Sequence, residues 1–358
     1  MAKLPGLGPR SARRAVLRMI KKKEIIIFCG APADIQYTLH LYEKNVNKAD
    51  ISIFCINVQG MYQFLSSLNL ILKQMVFIPY TYGVSIKNPI KVVRERIRLK
   101  SLYNRYFFGV KAADIYFFSC LYDWVVYSFL ERLIEKNKLL YIDVYNYLSL
   151  NNSFMIKRSW ILIKLNLVML KYISKADIKW FFIEGRREAL KFNIEKKNIT
   201  IIDRPLLNNE LYSKYSYSIE SNTENNLLLF ECNESDIINY KRKITDIVID
   251  LKNNGFLIYL KPHPRISNTS SLEKIVDYII PEYIPGEFIN PAIFTVILGV
   301  STVALAKFAK NGFLNCYSLL KLFEYKNEKT GEQMRKYLID QSDGKINFID
   351  DLVKLKLK

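Results

Sequence analysis

Short, unbroken apolar runs separated by stretches of helical periodicity are what most limits the folds open to this chain. In the first half they cover residues 24–30, 50–58, 75–79, 114–118 and 139–143, with helix patterns over 34–45, from Gly60 towards Leu72, and around 124–136. A strand that is apolar on both sides of the pleat must be covered on both sides, and alternating helices supply that cover. The pattern therefore predicts an α/β fold built on parallel sheets. After a polar stretch at 208–226, rich in serine, tyrosine and asparagine, the alternation resumes with strands at 227–230, 256–260, 278–280 and 294–298. A helix over 236–252 and another beginning near Ser301 complete the second half. The expected organisation is a basic arm (1–23), a Rossmann-like domain (24–207), a linker (208–226) and a second Rossmann-like domain (227–358), with an active site in the cleft between the domains.

A chain of 358 residues, 50% of them hydrophobic, has the material for two medium-sized cores. Its formal charge of +19, from 53 Lys and Arg against 34 Asp and Glu, calls for an anionic partner. Charge alone does not choose among nucleic acid, an anionic membrane surface and a phosphorylated substrate. Part of the excess is local, since Lys3, Arg10, Arg13, Arg14, Arg18, Lys21, Lys22 and Lys23 all precede the first acidic residue, Glu24. The five cysteines (Cys29, Cys55, Cys120, Cys232 and Cys316) are widely spaced and odd in number. They read as buried free thiols in a reducing compartment, neither a disulfide framework nor a zinc site. No uncharged apolar run reaches the roughly 18 residues of a transmembrane helix, and the start lacks the apolar core of a signal peptide. Residues 159–170, almost wholly apolar, read as a buried helix, with an interfacial helix on a bilayer as the alternative.

Of the two histidines, His263 is the first site candidate. It stands in Lys261-Pro262-His263-Pro264-Arg265, directly after the run at 256–260. Proline fixes φ and has no ladder N–H, so the pair ends the strand and presents the imidazole at its carboxyl end. Ligands of open α/β sheets bind at that edge, and imidazole titrates near neutrality, which suits it to a phosphate or a proton transfer. A loop histidine bonded to a backbone carbonyl is the equal alternative. The loop Glu231-Cys232-Asn233-Glu234-Ser235-Asp236 also joins a strand to a helix, where its acids serve either chemistry or an N-cap through Ser235 or Asp236. Gly299-Val300-Ser301-Thr302-Val303 makes the same passage and offers hydroxyls and helix-start amides to an anion, or a simple cap. Glu287, in Pro285-Gly286-Glu287, is placed to bond a ribose hydroxyl or to lie solvated in its loop. All fall at one edge of one predicted sheet, which favours a phosphate-containing ligand. Glycine-rich phosphate loops and metal-ligand clusters are absent from the sequence, and His40 reads as a core or half-buried helix residue.

From about residue 24 to about 323 the chain resembles the bacterial sialyltransferases of glycosyltransferase family 52. The likeness lies in Ile26-Ile27-Phe28-Cys29, Val76-Phe77-Ile78-Pro79-Tyr80-Thr81-Tyr82-Gly83, Pro262-His263-Pro264-Arg265, Pro285 with Glu287, and Ser301 to Leu305. The resemblance implies a GT-B architecture, two Rossmann-like domains facing a central cleft, and inverting transfer from a CMP-activated sialic acid, or a related acid sugar, without metal or cofactor. It casts His263 as the partner of the leaving CMP phosphate. Ser301, with Thr302 beside it, becomes the donor-phosphate motif, and Lys261, Pro264, Arg265 and Glu287 complete donor binding. The base is Glu234 or Asp236, with Asp236 preferred. Ile142-Asp143-Val144-Tyr145 departs from the paired-acid and glycine motif that the family often carries late in its first domain. The implied partners are a CMP-sugar donor and a glycan or glycolipid acceptor such as lipooligosaccharide or capsule. Peripheral contact with the cytoplasmic face of the inner membrane and a homodimer are further expectations, in a cytoplasmic protein that does not bind nucleic acid.

The opening Leu4-Pro5-Gly6-Leu7-Gly8-Pro9-Arg10-Ser11-Ala12-Arg13-Arg14-Ala15 resembles something else, the helix-hairpin-helix element at the start of the recombination mediator RecR. That element holds DNA backbone through turn amides and basic residues. The likeness covers about the first 23 residues, and RecR's zinc motif does not follow. We read it as a fused or wrongly assigned start, with nucleic-acid binding through this element as the alternative function.

Overall fold

A computed structural model describes residues 22–81, 89–118, 124–142, 144, 199–205, 209–220, 225–232, 236–263 and 270–352. The chain divides into two compact units, Met1–Leu207 and Asn208–Lys358. The first holds β1 (Lys23–Cys29), α1 (Asp34–Asn45), β2 (Ala49–Ile56), α2 (Gln59–Ser67), β3 (Gln74–Ile78), α3 (Pro89–Phe107), β4 (Asp114–Phe117), α4 (Trp124–Leu133), β5 (Lys138–Ile142) and β6 (Thr200–Ile202). The second holds α5 (Asn209–Lys214), β7 (Asn226–Phe230), α6 (Tyr240–Asn253), β8 (Leu257–Lys261), α7 (Ser270–Glu273), β9 (Tyr278–Ile279), β10 (Val296–Gly299), α8 (Val303–Lys310), β11 (Cys316–Ser318), α9 (Glu328–Gln341) and β12 (Asn347–Phe348).

Each unit contains one six-stranded sheet, in the order β3-β2-β1-β4-β5-β6 and β12-β11-β10-β7-β8-β9. Every pairing within them is parallel. Counted from the first strand of its own unit, each sheet has the Rossmann order 3-2-1-4-5-6, which reverses direction between the first and fourth strands. The α/β class and the two Rossmann-like sheets expected from the apolar runs are thus present. Among the described residues no helix is long and apolar enough to cross a membrane. Residues 159–170, Arg265, Pro264, Glu234 and Cys120 lie outside the described residues. The other four cysteines are buried free thiols.

Both faces of the first sheet are packed, as a continuous apolar strand requires. Phe28 of β1 lies 5.5 Å from Phe54 of β2 and 5.7 Å from Phe107, ring centre to ring centre. Phe107 in turn sits 4.6 Å from Phe54 and 5.2 Å from Phe129. Tilted aromatic contacts of this kind add about 0.5–1.5 kcal/mol each beyond the area they bury. Helix α3 supplies Leu99 and Phe107 to this core, with Leu102, Tyr103 and Tyr106 packed at its margin.

Two expectations need correction. Within the stretch expected as a linker, 208–226, the described residues include α5 and the bridge residue Tyr217, which belong to the second unit. Tyr212 contacts the Phe288 ring at 5.3 Å, and Tyr217 N–H donates to the Phe288 carbonyl at 2.6 Å. Aromatic residues in a polar stretch found apolar partners that local composition does not reveal. The helix expected from residue 236 starts at Tyr240. Ile237 pairs antiparallel with Tyr325, and the amides of Ile238 and Lys326 donate to the carbonyls of Glu324 and Asp236, which ties 236–238 to the Tyr325 segment. The N-cap is Asn239 in the left-handed region (φ 52°), so Asp236 does not cap α6, and Ser235 lies outside the described residues.

At the carboxyl end of β1, Asp34 closes the turn into α1 by accepting from the amides of Gly30 (2.8 Å) and Ala31 (2.9 Å) through Oδ2. The residue is 0% exposed, and its Oδ1 has no hydrogen-bond partner. Burial pushes the carboxyl up to about 7, with the two amides pulling against it. A raised folded-state value means that the folded protein holds the proton in a range where the unfolded chain has released it. The associated stability is complete in acid and is lost as pH rises through about 7. Asp34→Asn is therefore expected to gain stability relative to the parent as pH rises from about 4 to 7, whatever the fixed cost of burying its NH2. Urea midpoints measured for both proteins across this range check it.

Candidate functional site

Register builds the site. In the second sheet Phe230 pairs with Lys261 on one side and Gly299 on the other, and Gly299 pairs with Ser318. These residues form one row at the carboxyl edge, so Glu231, His263 and Ser301 emerge just beyond it. The row spans the gap between β7 and β10, where the strand order reverses and ligands of such sheets bind.

Pro262 has no amide hydrogen, so the first donor beyond β8 is the His263 N–H. It donates to Oε2 of Glu231 at 3.0 Å, while the Glu231 amide donates to the Lys261 carbonyl at 3.1 Å. Glu231, 7% exposed, thus clasps the end of β8 from both sides of its own peptide and sets where the half-buried His263 leaves the sheet. Lys261 lies under this clasp at 4% exposure. Its Nζ donates to the carbonyls of Pro262 (2.8 Å) and Glu282 (3.1 Å), so the ammonium ties the β8 exit to the segment that leads to Glu287. Burial lowers the lysine to about 8, and Glu282, Glu287 and Glu231 oppose that shift.

Glu287 lies on the short helical turn Gly286–Phe288. A Cβ on Gly286 would sit 2.8 Å from both the Ala304 Cβ and the Phe230 ring. Glycine is therefore what lets this turn touch the first turn of α8. The contact brings the Glu287 carboxylate under the influence of Lys307, whose ammonium is destabilised by burial and partly restored by Glu287. Lys307 also donates to the Tyr212 hydroxyl at 3.3 Å and lies over that ring. The linker residue Tyr212 and the helix residue Lys307 were not singled out in the sequence; an ordinary last-turn cation and a tyrosine in a polar stretch carry no local signal.

Helix α8 opens with Thr302 as its N-cap in extended conformation, and the Thr302 side chain makes no capping bond. The first amides of a helix have no partner inside it, so this start combines free N–H groups, two half-buried hydroxyls at Ser301 and Thr302, and the positive end of the helix dipole. Ser318 Oγ donates to the Val300 carbonyl at 2.7 Å and fixes the approach. Of the two acidic candidates, Asp236 is exposed and held by the Tyr325 segment. That segment depends on Gly331, where a Cβ would come within 2.9 Å of the Tyr325 ring. The structure thus brings His263, Lys261, Glu287, Ser301 and Thr302 to one edge. No group of three or more His, Cys, Asp or Glu residues arranged to hold a metal occurs among the described residues. Away from this edge, His40 is half-buried on α1, and burial lowers its pKa.

No family model matches the chain. A short amino-terminal stretch is similar to RecR recombination proteins. The likeness to that of Parvibaculum lavamentivorans is 74% identity over 27 residues, 8% of this chain and 14% of that protein. For Ruegeria sp. it is 46% over 59 residues, 15% of this chain and 30% of that protein. The chain thus spans only a small part of the length of these curated relatives. Among solved structures, it is similar to the glycotransferase of kitacinnamycin, with TM-score 0.42 and 8% identity over 92% of this chain and 86% of that one. A second is the calicheamicin glycosyltransferase CalG4, with TM-score 0.43, 8% identity and the same two coverages. A third is the E. coli heptosyltransferase WaaC with ADP, with TM-score 0.38, 10% identity, 79% of this chain and 82% of that one.

The clasp generates a prediction about pH. Because the folded-state value of Lys261 is depressed, the unfolded chain binds the extra proton between about 8 and the ordinary lysine range, and stability must rise with pH in that window. Lys261→Met removes this dependence. The parent is expected to gain on the variant from pH 8 upward in denaturant titrations.

Proposed function

We propose that the chain is a GT-B glycosyltransferase that moves sialic acid, or a related acid sugar, from a CMP-activated donor to a cell-surface glycan, with inversion and without a metal. The observation that carries this reading is the row Gly299, Phe230, Lys261 at the reversal of the second sheet, which gathers His263, Glu287 and the α8 start on one edge. Such an edge suits a nucleotide whose phosphate lies on the helix start and whose ribose faces a carboxylate.

In this mechanism the acceptor hydroxyl attacks the anomeric carbon as the bond to the CMP phosphate oxygen breaks, through an oxocarbenium-like state. The charge that develops on the phosphate is met by the α8 amides, the Ser301 and Thr302 hydroxyls and a hydrogen bond or proton from His263. A carboxylate, Asp236 or Glu234, takes the acceptor proton. Asp236 is exposed and so open to an acceptor. The role of Lys261 in this scheme is to position, because its ammonium is held by two carbonyls. Pro264 and Arg265 complete the donor loop, and the acceptor is a glycan or glycolipid.

His263→Ala is expected to lower CMP release from CMP-sialic acid with a glycan acceptor by roughly 10²- to 10⁴-fold; an unimpaired variant sinks the assignment. The same assay with Asp236→Asn and Glu234→Gln identifies the base as whichever variant is inactive. In a thermal-shift comparison CMP is expected to raise the melting temperature more than UDP or GDP at equal concentration. The alternative reading, nucleic-acid binding, rests on the short RecR-like stretch. Removal of residues 1–23 separates the two readings: a transferase keeps its turnover, whereas a DNA binder loses affinity and most of its salt dependence.

A further inference from the structure

Lys307 stands where a helix end takes a cation, but its surroundings are not those of a solvated cap. The other cation in the last turn of α8, Lys310, is exposed and pairs with Asp343 at 3.1 Å. Lys307 turns inward instead: its Nζ donates to the Tyr212 hydroxyl at 3.3 Å and lies 5.4 Å from the centre of that ring. The same ring packs at 5.3 Å on Phe288, the residue after Glu287. On the same face of α8, one turn before Lys307, Ala304 meets Gly286, the residue before Glu287, so closely that a Cβ there would lie 2.8 Å from its own. The turn that carries Glu287 is thus seated from both sides against the surroundings of one ammonium. Burial disfavours that ammonium, and Glu287 is the group that acts in its favour. Lys261, the other cation that Glu287 favours, is bound to two backbone carbonyls.

We propose that Lys307 is a positioning residue that holds Glu287 for the donor's ribose and so makes the site selective for a ribonucleotide over a deoxyribonucleotide. A carboxylate on a short turn keeps rotamer freedom that binding must remove. A cation fixed beside the turn removes part of it before the ligand arrives, and less ordering is left for the nucleotide to drive. A ribose presents two neighbouring hydroxyl donors to such a carboxylate, and a deoxyribose presents one. A cation that served only the dipole of α8 would act on folding and leave the choice of sugar untouched. The proposal rests on the reading of this edge as a nucleotide site.

Calorimetric titration of the full chain with CMP, 2′-deoxy-CMP and 3′-deoxy-CMP tests it. The parent is expected to bind CMP about 10- to 100-fold more tightly than at least one of the deoxy analogues. Lys307→Met should shrink that ratio to about threefold or less by weakening CMP alone, and Lys307→Arg should restore most of it. In a Glu287→Ala background Lys307→Met should change the ratio no further, because the two residues act as one unit. Thermal melts confirm that the variants are folded. Should the methionine variant fail to fold, Tyr212→Phe, which removes only the hydroxyl that holds Lys307, is expected to lower the ratio in the same direction. An unchanged ratio in Lys307→Met overturns the proposal, and so does an equal loss for CMP and its analogues, which marks a purely structural role. A parent that binds CMP without preferring it to either analogue overturns the proposal and leaves the donor reading standing. If the parent binds UMP or GMP in place of CMP, the CMP reading falls, and the ribose ratio for that nucleotide decides the role of Lys307 by the same criteria. A parent that binds none of the three overturns both.

Discussion

Parallel pairing is the constraint from which the rest follows. When all strands run in one direction, their carboxyl ends collect on one side, and a connection that must cross back leaves room there for loops to converge. In the second unit a single hydrogen-bonded row passes from Phe348 through Ser318, Gly299 and Phe230 to Lys261. A slip of one residue in the β7–β8 pairing would move every side chain of one strand to the opposite face of the sheet and would also take His263 away from Glu231. Core burial and site assembly are thus protected by the same register, and the strength of the apolar runs is indirectly a measure of how firmly the polar edge is placed.

That edge was legible in outline because its determinants are local. Two prolines end a strand, a glycine-serine passage opens a helix, and both can be read from adjacent residues. What escaped local reading were contacts between segments distant in the chain. The start of α6 is set by the pairing of Ile237 with Tyr325, almost 90 residues later; nothing near Asp236 announces it. Glu231 was visible as one acid among several, but its task is defined by an amide made unique by Pro262, on another strand. Lys307 and Tyr212 meet across the second unit in the same way. The orphan oxygen of Asp34 is a matter of three-dimensional burial, which a helix pattern beginning with an acid disguises as routine capping.

The exit of β8 shows how a polar edge is kept stiff without extra secondary structure. Pro262 removes one backbone donor, and the carbonyl before it and the amide after it are both satisfied by Glu231. Lys261 adds a second tie, from beneath, to the segment that leads to Glu287. The lysine is held between strong desolvation and three carboxylates, so its charge is retained at neutral pH at some cost in stability.

Gly331 gives the exposed Asp236 a distant dependence. The glycine makes room for the Tyr325 ring, Tyr325 pairs with Ile237, and Ile237 carries its neighbour Asp236. The position of this carboxylate is consequently inherited in part from α9, the helix that carries Gly331. Residues beyond 325 thus help to place Asp236: sequence drift in α9 can redirect the carboxylate while leaving every residue of its own loop unchanged.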